Sequence, residues 1–217
     1  MEIPEKAVVV LRHGQSANKV NLDFRPDYSC SEDPSLTELG KEQAQNSCLL
    51  LSNLIPPNKS IKVVTSPFQL CLETAYFLSQ KFKLKPTLDY QFSEFLNDRE
   101  YFEDPLPKLS LSSCLFNVQE EFTLKEPTKT PQFPETYQEM EKRVTEALKQ
   151  ALEELEEDVL VVVTHYYVLE VLTSYMLGRA ERNLGDGYCA LTLATFENNQ
   201  FNVKVKGDYT HAPQYIR

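Results

Sequence analysis

Three short runs of the chain are rich in Val: AVVVL at residues 7–11, apolar on both faces, IKVVT at 61–65 and VLVVVT at 159–164. Short continuous runs of this kind read as strands buried on both sides, the pattern of a parallel sheet. Between and after them the period changes to that of helices. SLTELGKEQAQNSCLLLSNLI opens with Ser35 or Thr37 ahead of Glu38, a capping pattern, and predicts a helix to about Leu54. PPNKS breaks it. Pro67 suits the first turn of a second helix running to about Lys81. PETYQEMEKRVTEALKQALEELEED predicts a strong helix with a charged outer face. YVLEVLTSYMLG predicts a buried helix closed by Gly178. YCALTLATF and FNVKVKG, joined by ENNQ, predict a hairpin at the sheet edge.

The remaining stretches are irregular. Residues 19–35 are polar, contain Pro26 and Pro34, and read as a loop. LKPTLDY reads as a short extended piece leading to QFSEFLNDRE. Residues 97–134 hold Pro105, Pro107, Pro127, Pro131 and Pro134 among scattered acids, and read as a long ordered excursion over the site. Excursions of that length inside a compact domain are usually functional. The order β–α–β–α–excursion–α–β–α–β–β predicts one domain over residues 1–217. Its fold class is a three-layer α/β/α sandwich with a mostly parallel sheet.

Composition narrows the function classes. The chain has 217 residues and a formal net charge of −10, which argues against nucleic acid as a direct partner, since such binders carry basic patches. A local cationic pocket for small anions remains compatible with that charge. Cys30, Cys48, Cys71, Cys114 and Cys189 are odd in number and no two stand in a CxxC spacing, which predicts free thiols and no metal site. The first residues do not resemble a signal or transit peptide, and no stretch approaches the roughly 18 apolar residues of a membrane span. A cytoplasmic location without a membrane partner is the expectation.

The candidate chemistry sits where the strands end. The chain has three histidines. Two of them, His13 in LRHGQ and His165 in THYY, lie at the exits of strands, where ligands of parallel α/β sheets bind. Arg12 precedes His13 and carries a fork matched to phosphate oxygens. Gly14 follows and permits close backbone approach. An imidazole can attack phosphorus and split one displacement into two. A second imidazole and a guanidinium would stabilise the transferring phosphoryl group, and a carboxylic acid would protonate the leaving oxygen. His211 is expected to be structural or exposed, and Cys71 to be buried on a helix face.

LRHGQS closely resembles the Arg-His-Gly signature of the histidine phosphatase (phosphoglycerate mutase-like) superfamily. DPSLTELGKEQA, VVTSPFQLCLETA, LDYQFSEFL, PETYQEMEKRV and VVVTHYYVLEVL are similar to further segments of that family in the same order, closer to its phosphatase branch than to the glycolytic mutases. The resemblance implies a metal-independent phosphomonoester hydrolase with no cofactor. His13 would be the nucleophile, His165 and Arg12 would bind the phosphoryl group, and Glu94 would be the general acid. Asn18 falls one residue before the family's phosphate-binding Asn, a slot that Lys19 occupies. The implied partner is a small phosphorylated substrate or a phosphoprotein.

Two departures qualify that implication. Leu70 stands where the family's SPxxRCxxTA segment carries a second phosphate-binding arginine, and the chain has no arginine between Arg25 and Arg99. Tyr166 follows the second histidine, where the family usually has a small residue; it would either narrow the pocket or turn away into packing. Loss of one transition-state donor typically slows turnover about 100- to 1000-fold. The alternative reading is therefore a catalytically inactive domain serving as a scaffold in a larger protein assembly.

Overall fold

The computed structural model describes residues 6–19, 33–109, 111, 116–125 and 130–214. Arg25, Pro26, Cys30, Cys114 and Pro127 lie outside the described residues. The elements in chain order are β1 (Ala7–Arg12), α1 (Glu38–Leu54), β2 (Ile61–Thr65), α2 (Gln69–Phe82) and β3 (Thr87–Leu88). Then come α3 (Val118–Glu121), β4 (Thr123–Leu124), α4 (Tyr137–Glu153), β5 (Val159–Thr164), α5 (Tyr166–Leu177), β6 (Leu191–Glu197) and β7 (Gln200–Asp208).

The three apolar runs form the centre of one sheet. Its strand order among the described residues is β4-β3-β2-β5-β1-β6-β7. β5 lies between β1 and β2 and is parallel to both, whereas β6 and β7 run antiparallel on the far edge. Successive side chains of a strand point to opposite faces, and here each face has its own helical layer. Ala7, Val9 and Leu11 pack with Leu51 of α1 and Cys71, Leu72, Ala75 and Leu78 of α2. Val8 and Val10 pack with Met140, Val144 and Leu148 of α4 and Leu169 and Leu172 of α5. The three-layer α/β/α sandwich is the architecture expected from the sequence.

Local chemistry sets the boundaries. Thr37 caps α1, accepting from the Gly40 amide at 2.9 Å. Thr136 and Glu139 form a reciprocal capping box at the start of α4. Gly178, at φ 64°, closes α5. Asn198 and Asn199, at φ 50° and 60°, make the two-residue turn between β6 and β7, the left-handed pair that such hairpins require.

Three details differ from the sequence reading. Pro67 lies before the Phe68 N-cap rather than in the first turn of α2. The extended piece at 87–88 joins the sheet as β3, and β4 from within the excursion pairs beside it. The first late strand starts at Leu191, because Cys189 at φ 56° turns the chain and leaves Tyr188 outside the sheet. Among the described residues no helix is long and apolar enough to cross a membrane.

Candidate active site

Strand register brings the predicted residues together. Arg12 pairs with Thr164, and Thr65 with Val163, so β1, β5 and β2 end side by side. His13, His165 and Ser66 follow at that edge. The His13 amide donates to the Thr164 carbonyl at 2.9 Å, and the Ser66 amide to the Val163 carbonyl at 3.0 Å. The two imidazoles stand 5.3 Å apart between centroids at 64°. Together with Arg12, Asn18 and Glu94 they line a cavity of about 370 Å³.

Gly14 makes this placement possible. A Cβ there would lie 2.3 Å from the Gly40 carbonyl oxygen, and one on Gly40 would lie 2.3 Å from the Gln15 carbonyl oxygen. The two glycines let the loop after β1 lie against the start of α1. The Gly14 amide donates to Thr74 Oγ1 at 3.2 Å, and its carbonyl lies 2.7 Å from His13 Nδ1. A carbonyl only accepts. Nδ1 therefore carries the proton in the neutral ring, which leaves the lone pair on Nε2, the geometry a nucleophile needs.

His165 is buried, and burial pushes its pKa well below the usual value, with the charges of His13 and Arg12 adding to the shift. It is a neutral imidazole at pH 7. Its Nε2 lies 2.8 Å from Ser66 Oγ and 3.4 Å from Cys71 Sγ. Cys71 is buried as expected, and burial also raises its thiol pKa well above the ordinary range. Nδ1 of His165 lies 3.8 Å from Glu94 Oε2.

Glu94 reaches the site from the stretch after β3. Burial raises its carboxyl pKa to about 7, against the opposing pull of the Phe95 amide and of the Arg12 and Arg143 charges. A carboxyl half protonated near neutral pH can donate a proton and then accept one. For the general-acid role that the resemblance implies, kcat/KM for phenyl phosphate is expected to decline above about pH 7 as Glu94 loses its proton. The decline should be weaker for p-nitrophenyl phosphate, whose leaving group needs less protonation, and absent in Glu94→Gln. A pH–rate series on the two esters checks this. Stability follows the same sign. The folded-state pKa lies above the ordinary 4.5, so this group costs stability as pH rises from about 4.5 through 7.

Besides Tyr166, the groups that hold Arg12 in place are ones the sequence did not point to. Its Nη1 donates to the carbonyls of Asp186 and Gly187. Its guanidinium carbon lies 4.6 Å from the Tyr188 ring centroid and 5.3 Å from that of Tyr166. The departure at Tyr166 thus resolves as a side chain lining the cavity, with its ring against Arg12. Asn18 is exposed at the cavity lining and accepts from Ser16 Oγ. The side chain of Lys19 lies outside the described residues.

Leu70 also lines the cavity, and packs with Leu36, Ala44 and Phe77. Gln69 does not replace the missing cation. Its amide nitrogen Nε2 is bonded to Glu73 at 3.1 Å, and its backbone amide to Asp33 at 2.6 Å. Burial raises the Asp33 carboxyl to about 7. Arg12 is the one Lys or Arg lining the cavity among the described residues.

A buried ion pair positions Glu94. Arg143 makes two bonds to Glu135, through Nε at 2.9 Å and through Nη2. It also donates to the carbonyls of Gln91 at 2.6 Å, Ser93 at 3.2 Å and Glu94 at 3.2 Å. Glu135 in turn accepts from the Leu96 amide at 3.0 Å. The stretch carrying Glu94 is thereby tied on both sides. A signal for Arg143 was present in the sequence: it falls on the inward stripe Met140, Val144, Ala147 and Leu148, where a charge needs a buried partner. Glu135 had no comparable signal.

His211 is partly buried, 3.0 Å from Ser47 Oγ, and stands apart from this cavity. Among the described residues no group of three or more His, Cys, Asp or Glu could hold a metal ion.

A pair of facing imidazoles with a guanidinium and a carboxyl, at the carboxyl ends of parallel strands, defines a class of α/β proteins built to handle a phosphoryl group. The family model for the histidine phosphatase superfamily (branch 1) matches residues 8–208, and the chain belongs to that superfamily. None of the curated sequences compared with the chain is significantly similar to it. Solved structures share the fold. YhfR of Bacillus stearothermophilus is 21% identical, with a TM-score of 0.65 over 96% of this chain and 100% of its own. A putative α-ribazole-5′-P phosphatase of Escherichia coli is 20% identical, with a TM-score of 0.65 over 94% and 98%. A mycobacterial glucosyl-3-phosphoglycerate phosphatase solved with VO3 is 18% identical, with a TM-score of 0.63 over 93% and 98%.

Proposed function

We propose that the chain is a phosphomonoester hydrolase working through a phosphohistidine at His13. The observation that carries this reading is the Nδ1–Gly14 carbonyl contact, which leaves the lone pair on Nε2 of a ring 5.3 Å from that of His165, in the cavity that Glu94 also lines. Membership of the superfamily and the phosphatases among its structural neighbours support phosphatase activity in general.

In the first step Nε2 of His13 forms a bond to phosphorus as the P–O ester bond breaks. The electron pair leaves with the ester oxygen, which takes the proton of Glu94. Arg12 and His165 hold the non-bridging oxygens. In the second step the Glu94 carboxylate takes a proton from water, the resulting hydroxide attacks phosphorus, and the N–P bond breaks. Inorganic phosphate leaves, and the site returns to its starting protonation.

The direct test is rapid quench with p-nitrophenyl phosphate, followed by mapping of the phosphorylated peptide. A phosphoryl group on the His13 peptide, stable in base and lost in acid, is the expected result. No adduct and no turnover would sink the proposal.

One observation favours the scaffold alternative: Leu70 gives the phosphate pocket an apolar face where a second arginine would stand. Leu70→Arg is expected to tighten inhibition by inorganic phosphate at least about tenfold, since hydrogen bonds to a charged group contribute about 1.5–3 kcal/mol each. Turnover in the wild type with a further gain in Leu70→Arg supports the hydrolase. Turnover in Leu70→Arg alone supports a disarmed pocket kept for binding.

A further inference from the structure

We infer that the leaving-group side of this pocket takes aryl phosphate monoesters whose ring carries no further acidic group, an inference that rests on the phosphatase reading above. The walls of the cavity are aromatic on both flanks of the imidazole pair. On one flank Phe68 packs edge-on against His165, with centroids 5.2 Å apart at 84°, and Tyr101 stands 6.2 Å beyond Phe68. On the other flank Tyr188 lies 6.1 Å from His13. Tyr166 and Tyr167 continue that flank, 5.5 Å apart, and both line the cavity. A substrate phosphorus at His13 leaves its organic group between these walls. Offset and edge-on packing of a planar ring against them is the favourable fit.

Charge narrows the class further. Glu94, Glu100 and Asp186 line the same cavity, against the single guanidinium of Arg12 among the described residues. That guanidinium is already bound to the Asp186 and Gly187 carbonyls and stands at the phosphate end. A leaving group with a second carboxylate or phosphate would bring like charge against these acids, and like-charge contacts select strongly against a ligand. Leu70, apolar at the cavity lining, adds surface that an uncharged ring covers and an acid does not.

Two features of the fold built these walls rather than leaving them to packing. The turn at Cys189 removes Tyr188 from the sheet and delivers it beside Arg12. The excursion supplies Tyr101, whose amide is tied to the Asn97 carbonyl at 3.1 Å. Tyr167, exposed at the cavity lining, extends the same surface outward.

Calorimetric titration of the wild-type protein with benzylphosphonate, propylphosphonate and 2-carboxyethylphosphonate tests the inference, beside an assay of p-nitrophenyl phosphate turnover. The three share the phosphonate and differ in ring and charge. Benzylphosphonate should bind at least about tenfold tighter than propylphosphonate, and 2-carboxyethylphosphonate more weakly than either. Tyr101→Leu should cut the benzyl-to-propyl ratio at least about threefold, and Glu100→Gln should narrow the propyl-to-carboxyethyl ratio.

Turnover with 2-carboxyethylphosphonate binding as tightly as benzylphosphonate would overturn this inference and leave the phosphatase standing. The expected order of ligands without turnover would overturn the phosphatase and leave an aryl-phosphate binding site. Absence of binding by all three overturns this inference, and absence of turnover beside it overturns the phosphatase as well. A free aryl phosphate and a tyrosine phosphate in a protein share this chemistry. N-acetyl-phosphotyrosine amide and a phosphotyrosyl decapeptide separate the sources. Equal kcat/KM assigns a small molecule and a higher value for the decapeptide assigns a protein, and either supports the aryl reading.

Discussion

His13→Ala is expected to lose at least about 1000-fold in p-nitrophenyl phosphate turnover, down to the level that binding and charge stabilisation alone supply. No other described side chain can take over its part. His165, the other imidazole at the cavity, has Nε2 engaged by Ser66 and Cys71, and its Nδ1 faces Glu94 at 3.8 Å. The effect on folding should be small by comparison. The ring's hydrogen bond, to its own neighbour's carbonyl at 2.7 Å, is local, and the backbone around it is held by the Thr164 and Thr74 bonds. A melting curve within a few degrees of wild type, beside lost turnover, would separate chemistry from stability. Retained turnover in His13→Ala would remove the phosphohistidine mechanism altogether.

Arg143→Ala is expected to be the most damaging substitution for stability and to impair catalysis through Glu94. The side chains of Arg143 and Glu135 are exposed by only 7% and 2%, so truncation leaves a carboxylate buried without its cation. Breaking a buried pair in this way typically costs about 3–5 kcal/mol. For a chain of this size each kcal/mol lowers Tm by about 2–4 °C, giving a loss of about 6–20 °C. Three backbone carbonyls, at Gln91, Ser93 and Glu94, lose their donor at the same time.

Arg143→Lys distinguishes positioning from stability. It keeps the charge but lacks the planar fork that serves Glu135 and three carbonyls together. Stability should return in part while kcat stays low, with KM for p-nitrophenyl phosphate little changed because Arg143 does not line the cavity. A lysine variant with wild-type kcat would show that the pair supports the fold and does not place the acid.

The linkage between these two predictions is geometric. His13 and His165 are set by strand register, which the sheet enforces along six paired residues from Ala7↔Val159 to Arg12↔Thr164. Glu94 lies on no regular element of comparable length. Its position depends on β3, two residues long, and on the Arg143–Glu135 clamp. His13 should therefore tolerate peripheral changes better than Glu94, and under the proposed mechanism variants along 90–96 should affect kcat before they affect phosphate binding.

Much of this protein is determined by local pattern. The three Val-rich runs, the Thr37 and Thr136 caps, the Gly178 stop and the Asn198-Asn199 turn are decided within a few residues by burial, capping and left-handed backbone preference. The three-layer arrangement then follows, because apolar runs on both faces require helices on both sides, and the ends of such strands collect His13 and His165; the order of the strands in the sheet was decided by the tertiary structure. Tertiary structure decided what local pattern carries no signal for. Whether Tyr166 faced the cavity or packing depended on where Arg12 lay, and Arg12 is placed by carbonyls of residues 186 and 187, more than 170 positions away. Tyr188 read as strand and became a pocket wall because one backbone turn at Cys189 diverted it. Glu135, Phe68 and Tyr101 acquired their places only when distant segments met. Contacts across such separations depend on the packing of the whole chain, and the character of the leaving-group pocket is fixed at that level.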